Sequence, residues 1–257
     1  MHKSNGSKLA VVALAALCGS GAYAGTLTAD FSAPLGLKDV EFTWTYNGGE
    51  ARDERTALIQ GDRTDSAGPG VDGFVGSSFE AYCVEIGQTI QVPKNHTYAD
   101  VVPLGFSTTD TGGATGPIFF DATRTLAMEN LYGTFASSVT DKTEAAAFQL
   151  AVWEIAFDDD LNLAASGGDM YVTATQYASN IAAVDLAADW LLQVKTGQDI
   201  FGQPISLTRQ SLYLLTDPDR QDLIAPGGFY PPVPEPASML ALAAGIGALA
   251  ARRRRRK

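Results

Sequence analysis

The spacing of apolar residues along the chain changes period twice. From Thr26 to Ser32 and from Val40 to Tyr46, apolar and polar positions alternate and Thr and aromatic residues are frequent, which predicts strands. Asn47-Gly48-Gly49 marks a turn, Thr56 to Gln60 a short strand, and the glycine-rich stretch from Gly61 to Gly76 a loop. Phe79 to Ile86, a break at Gly87, and Thr89 to Val92 ahead of Pro93 predict a strand or hairpin. In it Ala81, Cys83 and Glu85 share one face, and Tyr82, Val84 and Ile86 the other. Alternation alone does not say which face is inward.

The period then lengthens. After a Gly/Thr loop from Gly105 to Gly116, Ala122 to Phe135 carries Leu126, Met128, Leu131 and Phe135 at helical spacing. Asp141 followed three residues on by Glu144 is a capping box, and Ala145, Phe148, Val152 and Ile155 form an apolar stripe through Phe157. Asp158-Asp159-Asp160 ends that helix and is expected to be a solvated run of acids. A third helix spans about Ala174 to Val194, its apolar face built from Ile181, Val184, Leu186, Ala187, Trp190, Leu191 and Val194, with Gly197 as the stop. Ile205 to Thr208 and Ser211 to Leu215 return to strand composition. Strands, then helices, then strands predict a mixed β and α fold, a β-sandwich or barrel with a helical insertion or subdomain. There is no internal repeat and no Gly-rich nucleotide loop.

The two ends carry a different pattern. Lys3 and Lys8 precede an apolar run from Leu9 to Leu17, and Ala22-Tyr23-Ala24 is a small-x-small site, so residues 1–24 are expected to be a signal peptide and Gly25 the mature start. Cys18 follows Leu17, where a lipoprotein site would need a small residue, and is expected to leave with the signal. At the other end Val233-Pro234-Glu235-Pro236 leads into an apolar run from Ala237 to Ala251, followed by Arg252, Arg253, Arg254, Arg255, Arg256 and Lys257. The run has about 15 residues and spans about 22 Å as a helix, short of the roughly 30 Å hydrocarbon core, while its cationic end acts as a cytoplasmic membrane stop. This tail, residues 233–257, resembles the PEP-CTERM sorting domain of Gram-negative bacteria. The resemblance implies recognition by an exosortase in the inner membrane, cleavage near the Pro-Glu-Pro motif, and export linked to exopolysaccharide. An ordinary single-pass tail anchor is the alternative.

Charge and cysteine content sharpen what is left. Residues 25–232 form the expected extracellular body, one domain's worth of chain. Between Gly25 and Val233, 10 basic residues face 28 acidic ones, a net charge of −18. So acidic a body argues against nucleic acid or anionic lipid as partner. Asp62, Asp65 and Asp72 do not have the spacing of a calcium loop, and no metal or cofactor is implied. Once the leader is gone, Cys83 is the one cysteine left, an odd thiol in a compartment where thiols pair.

Tyr82-Cys83 on a strand, and Gln149-Leu150-Ala151-Val152-Trp153 on a capped helix, resemble the paired motifs of bacterial thioester domains, the surface adhesin modules. The resemblance implies that Cys83 supplies the thiol and Gln149 the acyl group of an internal thioester. Tyr82, Phe148 and Trp153 would be its bulky shield. Phe148 stands where the family has Thr, which removes a nearby hydroxyl. A thioester is an activated acyl group, so an amine or hydroxyl of a surface protein or exopolysaccharide would attack the Gln149 carbonyl carbon and expel Cys83. Such a bond survives only where water is excluded.

Two other readings compete. In one, Cys83 is packed as a small hydrophobe in a non-reactive matrix or biofilm protein. Alternatively Cys83 and His96, the one histidine of the body, form the dyad of a cysteine hydrolase. His96 beside a sequon-like turn, Asn95-His96-Thr97, reads as a surface residue, and Glu80 and Glu85 are acids without a fixed role. The expectation is an exported, exosortase-sorted surface or matrix protein, not an enzyme, that attaches to its partner through Cys83 and Gln149.

Overall fold

The computed structural model describes residues 25–44, 50–67, 78–86, 88, 90–105, 118–164 and 168–227. The expected leader with Cys18 and Ala22-Tyr23-Ala24, the Asn47-Gly48-Gly49 turn, Asp72, most of the Gly105 to Gly116 loop, and the tail from Val233 through Pro234, Glu235 and Pro236 to Arg252–Arg256 and Lys257 lie outside them.

Among the described residues ten strands and three α-helices follow one another: β1 (Thr26–Ser32), β2 (Lys38–Trp44), β3 (Glu50–Thr56), β4 (Ile59–Ala67), β5 (Ser78–Cys83), β6 (Lys94–Tyr98), β7 (Asp100–Pro103), α1 (Ala122–Phe135), α2 (Lys142–Phe157), β8 (Met170–Tyr171), α3 (Ala174–Thr196), β9 (Leu212–Thr216) and β10 (Leu223–Pro226). Seven strands form an antiparallel sheet in the order β6-β1-β4-β5-β10-β9-β7, and three form a second sheet, β3-β2-β8. The edge strands β6 and β7 of the large sheet are joined by Ala99 alone, so the sheet has to curl until its edges meet. The Val101 N–H donates to the Gly25 carbonyl at 2.8 Å across that seam. The result is a nearly closed barrel, which leaves little exposed strand edge.

Leu27, Phe31, Ile59, Phe79, Ala81, Tyr98, Val101, Leu215 and Leu223, all from the seven-stranded sheet, form the barrel's own core. Tyr82, Leu214 and Ile224, from the opposite faces of β5, β9 and β10, join the larger cluster with β2 and the three helices. Both faces of the strand are therefore buried from Ala81 onward, whereas Ser78 and Glu80 at its start are exposed.

α2 is capped as its sequence predicts: the Asp141 carboxylate accepts from Thr143 and Glu144 N–H, and Glu144 reaches back to the Asp141 N–H. Its burial is not a stripe, however, since every residue from Ala145 to Phe157 is buried. A helix enclosed on all sides has to satisfy its polar side chains inside the protein. That requirement places Gln149.

Several expectations are corrected. Thr56 to Gln60 is not one short strand but the join of two: β3 ends at Thr56, Ala57 and Leu58 connect, and β4 begins at Ile59. β4 continues to Ala67 through the expected loop, because polar residues such as Asp62 and Asp65 are tolerated on a strand whose outer face is wet. Ile90 to Val92 and Ile205 to Thr208 are not strands. α3 bends at Asn180 (φ −131°, ψ 21°), which takes Ile181 off the apolar face and leaves it 49% exposed. Asp158 is buried and not solvated, its two oxygens accepting from the Asp169 and Met170 N–H groups at 2.7 Å each. His96 is buried too, on β6 opposite Ala29.

Candidate functional site

The site arises where the chain leaves one sheet for the other. β4 pairs with β5 from Asp62 opposite Ser78 to Ile59 opposite Ala81, and there the pairing stops. The chain preceding Ile59, Ala57 and Leu58, runs away into β3 of the small sheet. Cys83, two residues beyond Ala81, therefore has no β4 residue opposite it. Val84 N–H bonds the Asp222 carbonyl on the β10 side at 3.0 Å, so by alternation the peptide groups of Cys83 face the side that β4 has vacated.

Gln149 fills that place from α2. Its Oε1 accepts from the Cys83 N–H at 2.9 Å, and its Nε2 donates to the Cys83 carbonyl at 2.6 Å. A side-chain carboxamide thus makes the two bonds that a strand residue would make. The pairing crosses 66 residues of sequence. It satisfies a 1%-exposed Gln and both Cys83 peptide groups together, and it sets the acyl carbon of Gln149 beside the residue that bears the thiol.

Cys83 itself is half-buried and unpaired. It lines a cleft of about 450 Å³ at the fork between the sheets, with Leu37, Glu54, Ala57, Glu85 and Trp153 among the other walls. Burial first, then the Glu54 and Glu85 charges, push the thiol up to about 12. At neutral pH it is a protonated thiol.

The three expected shielding residues divide between two places. Trp153, one turn beyond Gln149, lines the cleft itself, 3% exposed and packed on Phe42 with ring centroids 5.3 Å apart. Tyr82 and Phe148 lie against each other at 4.5 Å on the helical side, where Tyr132 and Trp190 join them. Phe148 is thus a core residue, and the large ring has a packing role that Thr would not fill. Burial raises the Tyr82 phenol well above its ordinary value.

The other candidates fall elsewhere. His96 does not line the cleft, and its Nε2 is bonded to the Gln91 carbonyl at 3.0 Å. Glu80 points outward and is exposed, whereas Glu85 is 1% exposed in the cleft wall. That difference was not readable from spacing. Among the described residues no group of His, Cys, Asp and Glu could hold a metal ion, and no helix is long and apolar enough to cross a membrane.

Residues 232–256 match the PEP-CTERM protein-sorting motif. That motif implies processing by an exosortase, export, and transient membrane anchoring by the C-terminal region. No curated protein matches the chain. Among solved structures the chain is similar to the N-terminal thioester domain of fibronectin-binding protein SfbI from Streptococcus pyogenes, at 11% identity and a TM-score of 0.40, covering 68% of this chain and 87% of that one.

Proposed function

We propose that the exported body is a covalent attachment module for a cell surface or exopolysaccharide matrix, built on an internal thioester between Cys83 and Gln149. The observation that carries this reading is the pair of hydrogen bonds holding the Gln149 carboxamide against both peptide groups of Cys83. In forming the bond, the Cys83 sulfur adds to Cδ of Gln149 while its proton passes to the departing nitrogen, and ammonia leaves. Negative charge develops on Oε1, where the Cys83 N–H already donates. In use, a partner amine or hydroxyl adds to the same carbon, the C–S bond breaks, and the sulfur leaves as a thiol. The product is an amide or ester to the partner.

Burial keeps the Cys83 thiol protonated at rest, so neither chemistry has a standing thiolate, and in a thioester the buried sulfur leaves only once a proton is supplied. His96, engaged with Gln91, gives the thiol no imidazole base.

One observation favours a second reading, a structural matrix protein without the bond. Gln149 also does the work of a missing strand residue and would be retained for the fold alone. Intact mass of the exported protein before and after methylamine separates the two. A mass one ammonia below the sequence, shifted by methylamine addition and absent in Gln149→Ala, establishes attachment chemistry. A mass equal to the sequence, with Cys83 titrating as a free thiol under denaturant, leaves the structural reading.

A further inference from the structure

We infer that Glu85 is the proton-transfer residue of this site, accepting the Cys83 proton as the thioester forms and returning one as it opens. The inference rests on the thioester reading and assigns the one step it leaves without a group.

The reaction needs such a group because the thiol is protonated and the departing nitrogen must gain a proton. Glu85 follows Cys83 by two residues, and both line the same cleft. Its burial, at 1% exposed, sets it apart from the exposed Glu80. It is also held in position by the segment that enters β10. Gln221 Nε2 donates to the Glu85 carbonyl, the Gln221 carbonyl in turn accepts from the Tyr98 hydroxyl at 2.9 Å, and the Asp222 N–H lies 3.4 Å from Glu85 Oε2. These contacts come from the segment entering β10, the strand that pairs with Cys83 on the side away from Gln149.

The step balances without any outside reagent. The Glu85 carboxylate takes the Sγ proton as sulfur bonds to Cδ of Gln149. Its carboxylic acid then gives that proton to the amide nitrogen, and the C–N bond breaks to release ammonia. On opening, the incoming amine loses its proton to the carboxylate, and the acid delivers it to the leaving sulfur. Trp153 and Glu85 line the same cleft as Cys83, so a fixed carboxylate stands beside the thiol as the proton carrier.

Among the described residues, the titratable and charged groups near Glu85 include Cys83 on its own segment, Asp53, Glu54 and Arg55 on β3, and Asp222 before β10. Glu54 is the competing carrier. It is half-buried on β3 and lines the same cleft.

The test uses the full exported chain in wild-type, Glu85→Gln, Glu85→Asp and Glu54→Gln forms. The readouts are the fraction lighter by one ammonia with time after purification, and the rate of methylamine opening across about pH 5 to 9. A general acid–base role predicts that Glu85→Gln slows both by about 100-fold or more and flattens the pH profile, that Glu85→Asp restores part of the rate, and that Glu54→Gln changes little. The sign is diagnostic, because a purely electrostatic neighbour acts the other way: removing its charge eases thiol ionisation and speeds formation. Equal or faster rates in Glu85→Gln, or a slow Glu54→Gln beside a normal Glu85→Gln, overturn the assignment. If the wild-type chain never shows the ammonia deficit, it is the thioester reading that fails, and this inference with it.

Discussion

Glu154 offers a perturbation whose sign and size can be worked through. It lies on α2 one residue beyond Trp153, fully buried, with Oε1 accepting from the Asn162 N–H at 2.6 Å. Burial, and then the nearby Asp158 charge, push its carboxyl from 4.5 up to about 9. Below pH 4.5 both folded and unfolded chains carry the proton, and the group costs nothing. Between 4.5 and about 9 the unfolded chain ionises while the folded chain keeps its proton, so stability falls as pH rises. The slope is about 1.4 kcal/mol per pH unit, which accumulates to about 3 kcal/mol at pH 7. Glu154→Gln removes the ionisation while keeping an oxygen for the Asn162 N–H. The assay is urea unfolding of both chains at several values between about pH 5 and 8, with the difference between them plotted against pH. Asp158 and the acidic surface act on both chains, so the difference isolates Glu154. The variant should equal or trail wild type at the acid end and become progressively more stable toward neutrality, by about 3 kcal/mol at pH 7. A difference independent of pH, or one growing in wild type's favour, would refute the reasoning.

Other residues make separate predictions. Gln149→Ala leaves the Cys83 N–H and C=O facing the gap without partners and should cost about 2 to 4 kcal/mol in denaturant unfolding. A loss under about 0.5 kcal/mol would deny the carboxamide its strand-like role. Trp153→Leu keeps an apolar residue at the cleft wall but removes the ring packed on Phe42, so water hydrolysis of the proposed thioester, followed as the gain of one water in mass, should quicken about 10-fold while the fold persists. Asp141→Ala removes both cap bonds of α2 and should lower unfolding stability by about 1 to 2 kcal/mol.

What the sequence shows and what it conceals divide along the range of the interactions. The strand at Thr26–Ser32, the helix at Ala122–Phe135 and the Asp141–Glu144 capping box depend on neighbours within a few residues, and the structure has them where the pattern puts them. β4 was hidden because Asp62, Arg63 and Asp65 belong to it through backbone pairing with β1, and their side chains carry no strand signal. β6 was hidden for the opposite reason: Asn95-His96-Thr97 has turn composition, yet His96 is buried against Phe31 by the curl of the barrel. The candidate thiol and amide were legible as motif residues. That they meet depends on a helix and a strand 66 residues apart, and that Glu85 rather than Glu80 shares the cleft depends on where the sheet forks.

That fork links architecture to chemistry. If β4 continued past Ile59 by two more residues, its backbone would occupy the peptide groups of Cys83, and Gln149 would have no place at the strand. The departure at Ala57–Leu58 into the small sheet creates both the vacancy that Gln149 fills and the cleft that Cys83 lines. A vacancy inside a sheet costs two unmade hydrogen bonds, about 1 to 3 kcal/mol for each buried group left unpaired. The fold offsets that cost with a side chain whose carbonyl carbon is chemically convertible, where a backbone peptide or a water would also have satisfied the bonds but could not become a thioester by losing ammonia. The same two hydrogen bonds therefore close the sheet and, on the proposed thioester reading, would pre-position the acyl group, with the strand's own N–H as its oxyanion donor.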